Sequence, residues 1–316
     1  MAAKITPKGV TLTFVHGILI IDKPAGITSH DVVARVRRAL KTKRVGHTGT
    51  LDPFATGVVV VLVGKATRLA QFLDKDEKEY EAEVKFGWET DTGDNTGLRT
   101  ADCGLRIEEI SERLASVDWE EVFAKFRGTI DQVPPMYSAK KVEGQKLYEL
   151  ARKGVEIDRK AVAVTIHKLE IVDTETRRTP QSAVRIQVVC SAGTYIRTLA
   201  EEIGRATGLQ AHLTALRRTR AGKFTLEQAV TLDALAEHDS PGDFLLPIEN
   251  AVPHLPAFTL NEDRVGKTLS GMSTRDLSGR FVGGETVAMF SPAGELIAVG
   301  RYMDEEKAVQ PKVVLG

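Results

Sequence analysis

One run of the sequence, Val58-Val59-Val60-Val61-Leu62-Val63, is made entirely of aliphatic residues and is closed by Gly64. A strand with one face in water alternates apolar and polar residues, whereas a strand covered on both faces is continuously apolar. The run therefore predicts a core strand with structure packed against both of its faces.

The residues just before this strand, from Val45 to Gly57, cannot form a helix. They include three glycines, and Pro53 pushes Asp52 into an extended or turn conformation. The segment therefore places the carboxylate of Asp52, with His47 close by in sequence, on a loop at the mouth of a rigid strand. Catalytic groups are often held in this way. Asp-Pro turns and glycine-rich connectors are also ordinary structural loops, so local chemistry leaves both interpretations open.

No motif in the sequence predicts a cofactor or a metal ion. The loop does not match a phosphate-binding G-x-x-x-x-G-K-[ST] pattern, because Ala66 follows Gly64-Lys65 where a hydroxyl is required, and there is no G-x-G-x-x-G. The two cysteines, Cys103 and Cys190, give neither a disulfide framework nor paired zinc-ligand spacing. We therefore expect a protein without metal or organic cofactor.

The composition is that of a globular protein outside the membrane. The chain has 316 residues, of which 42% are hydrophobic and 27% charged. No run approaches the ~20 apolar residues that a membrane helix needs. The first residues, Met1 to Pro7, lack the apolar core of a signal peptide. These features predict a cytoplasmic protein.

The charges balance, with 43 basic and 43 acidic residues, but the basic residues are clustered. Any one cluster could be an ordinary solvated face. Several clusters, offset by acidic surface elsewhere, indicate a polyanion-binding face. The candidate polyanion-binding residues form three groups: Arg35, Arg38, Lys43 and Arg44; Lys140 and Lys141; Arg217 and Arg218.

The remaining pattern mixes helices and strands. Thr28 and Asp31 have the spacing of a capping box, which predicts the start of a helix. Residues 80–86 alternate apolar and polar side chains, which predicts a strand with Tyr80 at the end of its apolar face. Further strands are predicted at 16–22, 162–172 and 183–190, and two helices within 107–127.

Tyr195 and Arg197 fall between the strand predicted at 183–190 and a helix predicted to end near Gly208. Side chains at such a junction can point into a cleft. The alternative for Arg197 is a surface salt bridge, which usually contributes little to stability.

A segment rich in Pro, Gly and Asp at 239–256 predicts a domain boundary. Beyond it, one helix is predicted at about Glu262–Leu269, and two strands, Val287–Phe290 and Leu296–Val299, are predicted to pair across a turn. A tail of this size and pattern indicates a small β-barrel module.

Six blocks of the sequence, in this order, resemble the bacterial TruB-type tRNA pseudouridine synthases. The resemblance covers almost the whole chain, and the block around Asp52 is the most specific of the six. The blocks are Asp22–Pro24, Gly46–Gly57, Thr90–Asp94, Pro134–Ala139, Gly193–Thr198 and Leu216–Arg218.

The resemblance implies an α+β fold with two domains. Residues 1–250 would form a mixed-sheet pseudouridine synthase core, with a basic RNA-gripping insertion at about 123–154. Residues 251–316 would form a PUA-like RNA-binding module. The expected partner is the T-stem and T-loop of tRNA, bound by a monomer.

The resemblance also implies residue roles. Asp52 matches the catalytic aspartate and Arg197 the arginine that pairs with it. The remaining active-site matches are Tyr80 and Tyr195 as the two tyrosines, His47 as the residue that fills the space of the flipped nucleotide, Leu216 in the apolar pocket, and Lys23 with Pro24 beneath the catalytic loop.

The function implied is isomerisation of uridine 55 in the T loop to pseudouridine, with base flipping and an aspartate nucleophile. No redox change occurs, which agrees with the absence of cofactor motifs. Attack at C1′ or at C6 stays open, as does the role of Tyr80 as proton acceptor or stacking platform. The alternatives are a non-catalytic tRNA-binding or tRNA-folding protein on this fold, and a glycosidase or nucleosidase, which would need a second carboxylate.

Overall fold

The computed structural model describes residues 15–138, 140–142, 145–151, 154–155, 157–172 and 182–316. The predicted absence of a signal peptide concerns residues outside this range. The helices are α1 (Ser29–Ala39), α2 (Ile107–Ala115), α3 (Trp119–Ala124), α4 (Leu147–Ala151), α5 (Ile196–Thr207), α6 (Leu232–Glu237) and α7 (Glu262–Leu269).

The strands fall into two large sheets and two small hairpins. They are β1 (Gly17–Lys23), β2 (Val45–Thr48), β3 (Thr56–Val63), β4 (Lys78–Phe86), β5 (Trp88–Thr90), β6 (Arg99–Asp102), β7 (Gly128–Gln132), β8 (Lys141–Val142), β9 (Gln145–Lys146), β10 (Val162–Ile171), β11 (Ala183–Cys190), β12 (Ala211–Ala221), β13 (Phe224–Thr225), β14 (Ala257–Thr259), β15 (Thr274–Arg275), β16 (Thr286–Phe290), β17 (Leu296–Met303) and β18 (Ala308–Val314).

The main sheet has nine strands in the order β1-β3-β12-β4-β11-β10-β7, with β2 added to β3 and β13 added to β12. The sheet is mixed, because β3 and β12 run parallel whereas the other pairs are antiparallel. The predicted mixed-sheet α+β core is therefore confirmed.

The apolar run in β3 is buried on both faces, as predicted. Val59, Val61 and Val63 belong to the core on one face, and Val58 and Val60 to the core on the other. Since successive side chains of a strand point to opposite faces, a continuous apolar run supplies both cores at once.

Local signals placed several elements correctly. The capping box is present, with the Thr28 side chain accepting from the Asp31 amide and the Asp31 carboxylate accepting from the Thr28 amide. Helix α7 has its predicted bounds, and β16 pairs with β17 as expected. The glycine-rich stretch was only partly predicted, because Val45–Thr48 is a strand that pairs with β3 instead of a loop.

The chain leaves the main sheet after Gln132, the last residue of β7, and returns at Val162, the first residue of β10. The intervening part contains the small β8–β9 hairpin and α4. The predicted insertion at 123–154 covers most of this excursion but also includes β7, which belongs to the main sheet.

The C-terminal part forms a five-stranded sheet in the order β14-β16-β17-β18-β15. This sheet forms a half-barrel, which confirms in part the small β-barrel module that the sequence predicted. Its residues Leu296, Val299 and Leu315 share one buried cluster with Ile20 and Val60 of the main sheet. The module is therefore packed directly against the outer face of the core. In the described ranges, no helix is long and apolar enough to cross a membrane.

Candidate active site

The loop that carries Asp52 connects β2 to β3 and is held by main-chain hydrogen bonds. The Leu51 amide donates to the Ser29 hydroxyl at 2.9 Å, and that hydroxyl lies 3.2 Å from the Leu51 carbonyl. The Gly26 amide donates to the Pro53 carbonyl at 2.8 Å. Since Ser29 begins α1 and Gly26 follows β1, the loop is fixed to two elements of the core.

The carboxylate of Asp52 is oriented by Arg197 from the first turn of α5. Arg197 Nε lies 2.8 Å from Asp52 Oδ2, and Nη2 lies 3.2 Å from Oδ1. Bidentate arginine–carboxylate pairs of this kind fix geometry as well as charge. The Arg197 side chain is 4% exposed whereas that of Asp52 is 31% exposed. Arg197 therefore contacts the carboxylate from the buried side, and the other side of the carboxylate remains exposed.

Arg197 is itself fixed by two main-chain carbonyls. Its Nη1 donates to the Thr92 oxygen and its Nη2 to the Tyr137 oxygen, each at 2.7 Å. Both acceptors belong to blocks that carried the family resemblance, and each contributes a main-chain carbonyl to this contact. The sequence did not indicate these contacts.

A cavity of about 260 Å³ opens beside the carboxylate. On the same measure a cavity needs only ~10–15 Å³ to hold one water molecule, so this cavity has room for a flat pyrimidine ring. Five predicted active-site residues line it, together with others named below: Asp52, Arg197, Tyr80, Tyr195 and Leu216. These residues come from separate parts of the sequence, and the fold brings them together.

Tyr80 lies on β4 and is buried, with 8% of its surface exposed. Burial raises the pKa of its phenol, while the nearby Arg218 guanidinium acts in the opposite direction. Tyr195, at the cap of α5, is held by Gln132, whose side-chain oxygen accepts from the Tyr195 amide at 2.7 Å. The two tyrosines therefore reach the cavity from different elements, Tyr80 from β4 and Tyr195 from the start of α5.

Lys23 lies beneath the loop that carries Asp52. The side chain is fully buried, and its ammonium donates to the carbonyls of Pro24, Ile27 and Pro53 at 2.9, 2.8 and 3.1 Å. Burial lowers the pKa of Lys23 to about 8, and the attraction of Asp52 works against that shift. The lysine therefore connects the end of β1 to the residue that follows Asp52.

His47 lies on β2 and packs edge-to-face against His30, with ring centroids 5.5 Å apart. Burial lowers the pKa of His47 to about 4, and the positive charges that His30 and Arg218 can carry add to the shift. The imidazole is therefore neutral near pH 7. It does not line the cavity next to Asp52, unlike the five residues above.

The prediction that Arg217 and Arg218 form one basic surface cluster was wrong in part. Arg218 is 1% exposed and lines the cavity, with its guanidinium donating to the Val58 carbonyl at 2.7 Å and the Gly49 carbonyl at 3.0 Å. Arg217 forms a bidentate pair with Asp22 at 3.1 and 2.8 Å. Successive residues of β12 point to opposite faces, so neighbours in sequence do not share a surface.

The first basic group lies on α1 and the turn after it. The side chains of Arg35, Arg38, Lys43 and Arg44 are exposed, and Arg35 and Arg38 line a wide groove of about 680 Å³ next to α6. In the insertion, Lys140 is partly exposed, and the Lys141 side chain lies outside the part of the chain described. Phosphate binding by these residues remains a prediction.

Sequence reasoning missed Lys78, which is buried and lines the same cavity. It occupies a stretch of alternating charges that indicated only a solvated turn. Its position two residues before Tyr80, on the same face of a strand, was the signal that could have found it. No group of three or more His, Cys, Asp or Glu side chains in the described ranges is arranged to hold a metal ion.

This combination of a mixed sheet and an arginine-held aspartate beside a base-sized cavity defines a class of RNA-modifying enzyme. Residues 37–196 match the TruB family pseudouridylate synthase N-terminal domain, and residues 197–253 match the tRNA pseudouridylate synthase B C-terminal domain. The chain belongs to the TruB family and is a pseudouridine synthase.

Relatives and solved structures extend over most of the chain. The tRNA pseudouridine synthase B of Symbiobacterium thermophilum is 46% identical over 259 residues, covering 82% of this chain and 83% of the relative. The enzyme of the same name from Bacillus pumilus is 37% identical over 307 residues, 95% of this chain and 98% of the relative. A solved H/ACA ribonucleoprotein bound to a substrate RNA containing 2′-deoxyuridine aligns with a TM-score of 0.68 and 25% identity, covering 99% of this chain and 92% of that one.

Proposed function

We propose that this enzyme converts uridine 55 in the T loop of tRNA to pseudouridine, with Asp52 as the nucleophile. The observation that carries the proposal is the bidentate Arg197–Asp52 pair beside a cavity lined by Tyr80, Tyr195 and Leu216. The tRNA substrate is supported by the names of the curated relatives. The position in the T loop is supported by the resemblance of the blocks around Asp52 and Arg197.

The target uridine must leave the folded loop to reach Asp52. Flipping a nucleotide out of its stack costs a few kcal/mol. Stacking of a base on an aromatic ring offsets ~1–3 kcal/mol of that cost. Tyr80 supplies such a ring in the cavity wall, and Leu216 an apolar contact. Asp52, oriented by Arg197, then acts on the ribose or the uracil ring, and the base is rejoined to C1′ through C5.

The exposed groups on α1 and the turn after it are the proposed contacts to the tRNA backbone. Arg35, Arg38, Lys43 and Arg44 present four exposed cations on α1 and the turn after it. Lys140 and Lys141 would add contacts from the excursion between β7 and β10. We propose that one monomer binds the T-stem and T-loop in this way, with the half-barrel as a PUA-like RNA-binding module.

Mapping of pseudouridine in total tRNA tests this proposal. Unmodified tRNA would be incubated with the protein, and pseudouridine would be located by position-specific chemical mapping. The proposal predicts modification at position 55 of many tRNAs and at no other uridine of the T loop. Modification elsewhere would overturn the proposed position. Tight tRNA binding without pseudouridine would favour the alternative, a non-catalytic tRNA-binding or tRNA-folding protein.

A further inference from the structure

Lys78 places a buried ammonium in the cavity, apart from the Arg197–Asp52 pair. The residue is 7% exposed, lies two residues before Tyr80 on β4, and lines the cavity. Its Nζ donates to the main-chain oxygens of Asp74, at 3.0 Å, and of Asp76. An ammonium has three donors, so these two bonds leave one donor for another acceptor in the cavity.

The carboxylates near Lys78 do not neutralise it by direct contact. Both of its hydrogen bonds go to carbonyl oxygens, and the carboxylate of Asp52 is already paired with Arg197. Burial and the Arg218 guanidinium lower the pKa of Lys78, while Asp76 and Asp74 oppose that shift. A buried cation in these surroundings destabilises the protein unless an anion binds next to it.

Lys78 and Arg218 converge on one wall of the cavity. A Cβ added to Gly49 would lie 3.6 Å from Arg218 Nη1 and 3.7 Å from Lys78 Cε. Gly49 belongs to the catalytic loop, three residues before Asp52. Because Asp52 and Arg197 compensate each other, this wall carries the excess positive charge of the cavity. Among the residues that the structure describes, Asp74 is the other acid that lines the cavity.

One of the two routes of the proposed reaction, attack of Asp52 at C1′, produces an anion in this cavity, and the inference depends on that route. When Asp52 attacks C1′, a bond forms between its carboxylate oxygen and C1′, and the electron pair of the N1–C1′ bond stays on the uracil. A neutral nucleoside and a carboxylate thus become an ester and a uracil anion, with the charge shared between N1 and the ring oxygens. The base then turns, C5 bonds to C1′ as the carboxylate leaves, C5 loses its proton, and N1 gains one.

We propose that Lys78 is a further catalytic residue, whose ammonium contacts the uracil anion and stabilises it during cleavage and rotation. This inference rests on the proposed function. Preorganised donors aimed at developing charge act strongly in a water-poor site, and removing one typically lowers kcat about 10²–10³-fold. Arg218 already donates to the carbonyls of Gly49, Thr50 and Val58 and so fixes the loop to β3. We therefore assign the contact with the anion to Lys78, which keeps one donor beyond its two carbonyl bonds.

Single-turnover kinetics on two RNAs test the inference. The substrates are T-stem-loops with uridine or 5-fluorouridine at position 55, and the readout is loss of the target nucleoside in a nuclease digest. Lys78→Met should slow uridine conversion about 100-fold or more. Lys78→Arg, which keeps the charge, should slow uridine conversion less than Lys78→Met does. Lys75→Met, an exposed lysine of the same turn, serves as the control and should match the wild type.

The fluorinated substrate separates a catalytic role from a structural one. Fluorine withdraws electrons and stabilises the uracil anion by itself. The rate of Lys78→Met should therefore fall much less, relative to the wild type, on 5-fluorouridine than on uridine. Equal losses on both substrates, with a lowered Tm, would show that Lys78 only supports the turn and would overturn the inference. An unchanged rate for Lys78→Met would also overturn it. If the wild type converts neither RNA, the proposed function fails, and this inference fails with it.

Discussion

Arg197 reaches Asp52 across 145 residues of sequence and contacts both carboxylate oxygens, at 2.8 and 3.2 Å. The same guanidinium binds the carbonyls of Thr92 and Tyr137, so one side chain ties three loops of the site together. The geometry of the proposed active site therefore depends on the planar, forked shape of arginine as well as on its charge.

Replacement of Arg197 by lysine should impair catalysis although the charge is kept. A lysine cannot reproduce the bidentate contact together with both carbonyl bonds, because its donors share one nitrogen whereas Arg197 uses three separate nitrogens here. We expect kcat to fall about 10²-fold, since misplacement of a catalytic group by about 1 Å has an effect of this size. The tRNA affinity should change by no more than a few-fold.

The matched control is Arg205→Lys on the same helix, where Arg205 is 56% exposed and pairs with Glu89. Exposed pairs contribute little, so this variant should keep wild-type kinetics. Single-turnover rates of both variants would decide the matter. A wild-type rate for Arg197→Lys would contradict the claim that bidentate geometry orients Asp52.

Gly57→Ala should destabilise the protein. Gly57 has φ of +105° at the start of β3, and an added Cβ would lie 2.2 Å from the Arg218 carbonyl oxygen. Both the backbone strain and the clash with main-chain atoms oppose a side chain, so the free energy of unfolding should fall by at least about 2 kcal/mol. Urea unfolding measures this directly. Gly46→Ala, where no atom lies within 4 Å of the added Cβ, should change stability far less.

The neutral state of His47 should make stability depend on pH. The pKa of His47 is about 4 in the folded protein, against 6.5 for the free side chain. As the pH falls, the unfolded chain therefore binds the proton before the folded protein does. The stability that the neutral imidazole contributes is complete above pH 6.5 and is lost as the pH falls towards 4. We expect His47→Gln to lose less stability than the wild type between pH 7 and pH 4.5, by roughly 1–3 kcal/mol.

Chemical denaturation at several pH values tests the His47 prediction. The control is His254→Gln, at an exposed position, which should show the same pH dependence as the wild type. If His47→Gln and the wild type lose stability in parallel over this range, His47 is not the residue that resists protonation.

The exposed basic face should bind tRNA in a salt-dependent manner. Each lost phosphate contact should reduce the slope of log K against log salt by roughly 0.7–0.9. The double variant Arg38→Gln, Lys43→Gln should therefore bind more weakly at low salt and with a shallower slope. Arg106→Gln, at an exposed helix cap, is the control. An unchanged slope in the double variant would place the tRNA on another surface.

Patterns within single elements were predictable from sequence, because they depend on local chemistry. The aliphatic run of β3, the alternation of β4, and the cap of α1 each carry their own signal, and the structure confirmed them. The strand β2 was missed because Val45-Gly46-His47-Thr48 has little strand character of its own and is extended by pairing with β3.

The assembly of the site was predictable only through the family resemblance. Nothing local to Arg197 indicates that it reaches Asp52, since their contact depends on how α5 and the β2–β3 loop are placed by the sheet. Grouping basic residues by their position in the sequence was misleading on strands, because successive side chains of a strand point to opposite faces. Arg217 and Arg218 are neighbours in sequence but lie in different environments, and Lys78 is buried within a stretch of charged residues.

The central claim is that the Asp52 carboxylate performs the chemistry on uridine 55. The most direct test compares Asp52→Asn with the wild type on tRNA labelled with tritium at C5 of its uridines, since joining C5 to C1′ releases that hydrogen. We predict no tritium release and no pseudouridine at position 55 for Asp52→Asn, with tRNA affinity within a few-fold of the wild type. Full turnover by Asp52→Asn would contradict the account.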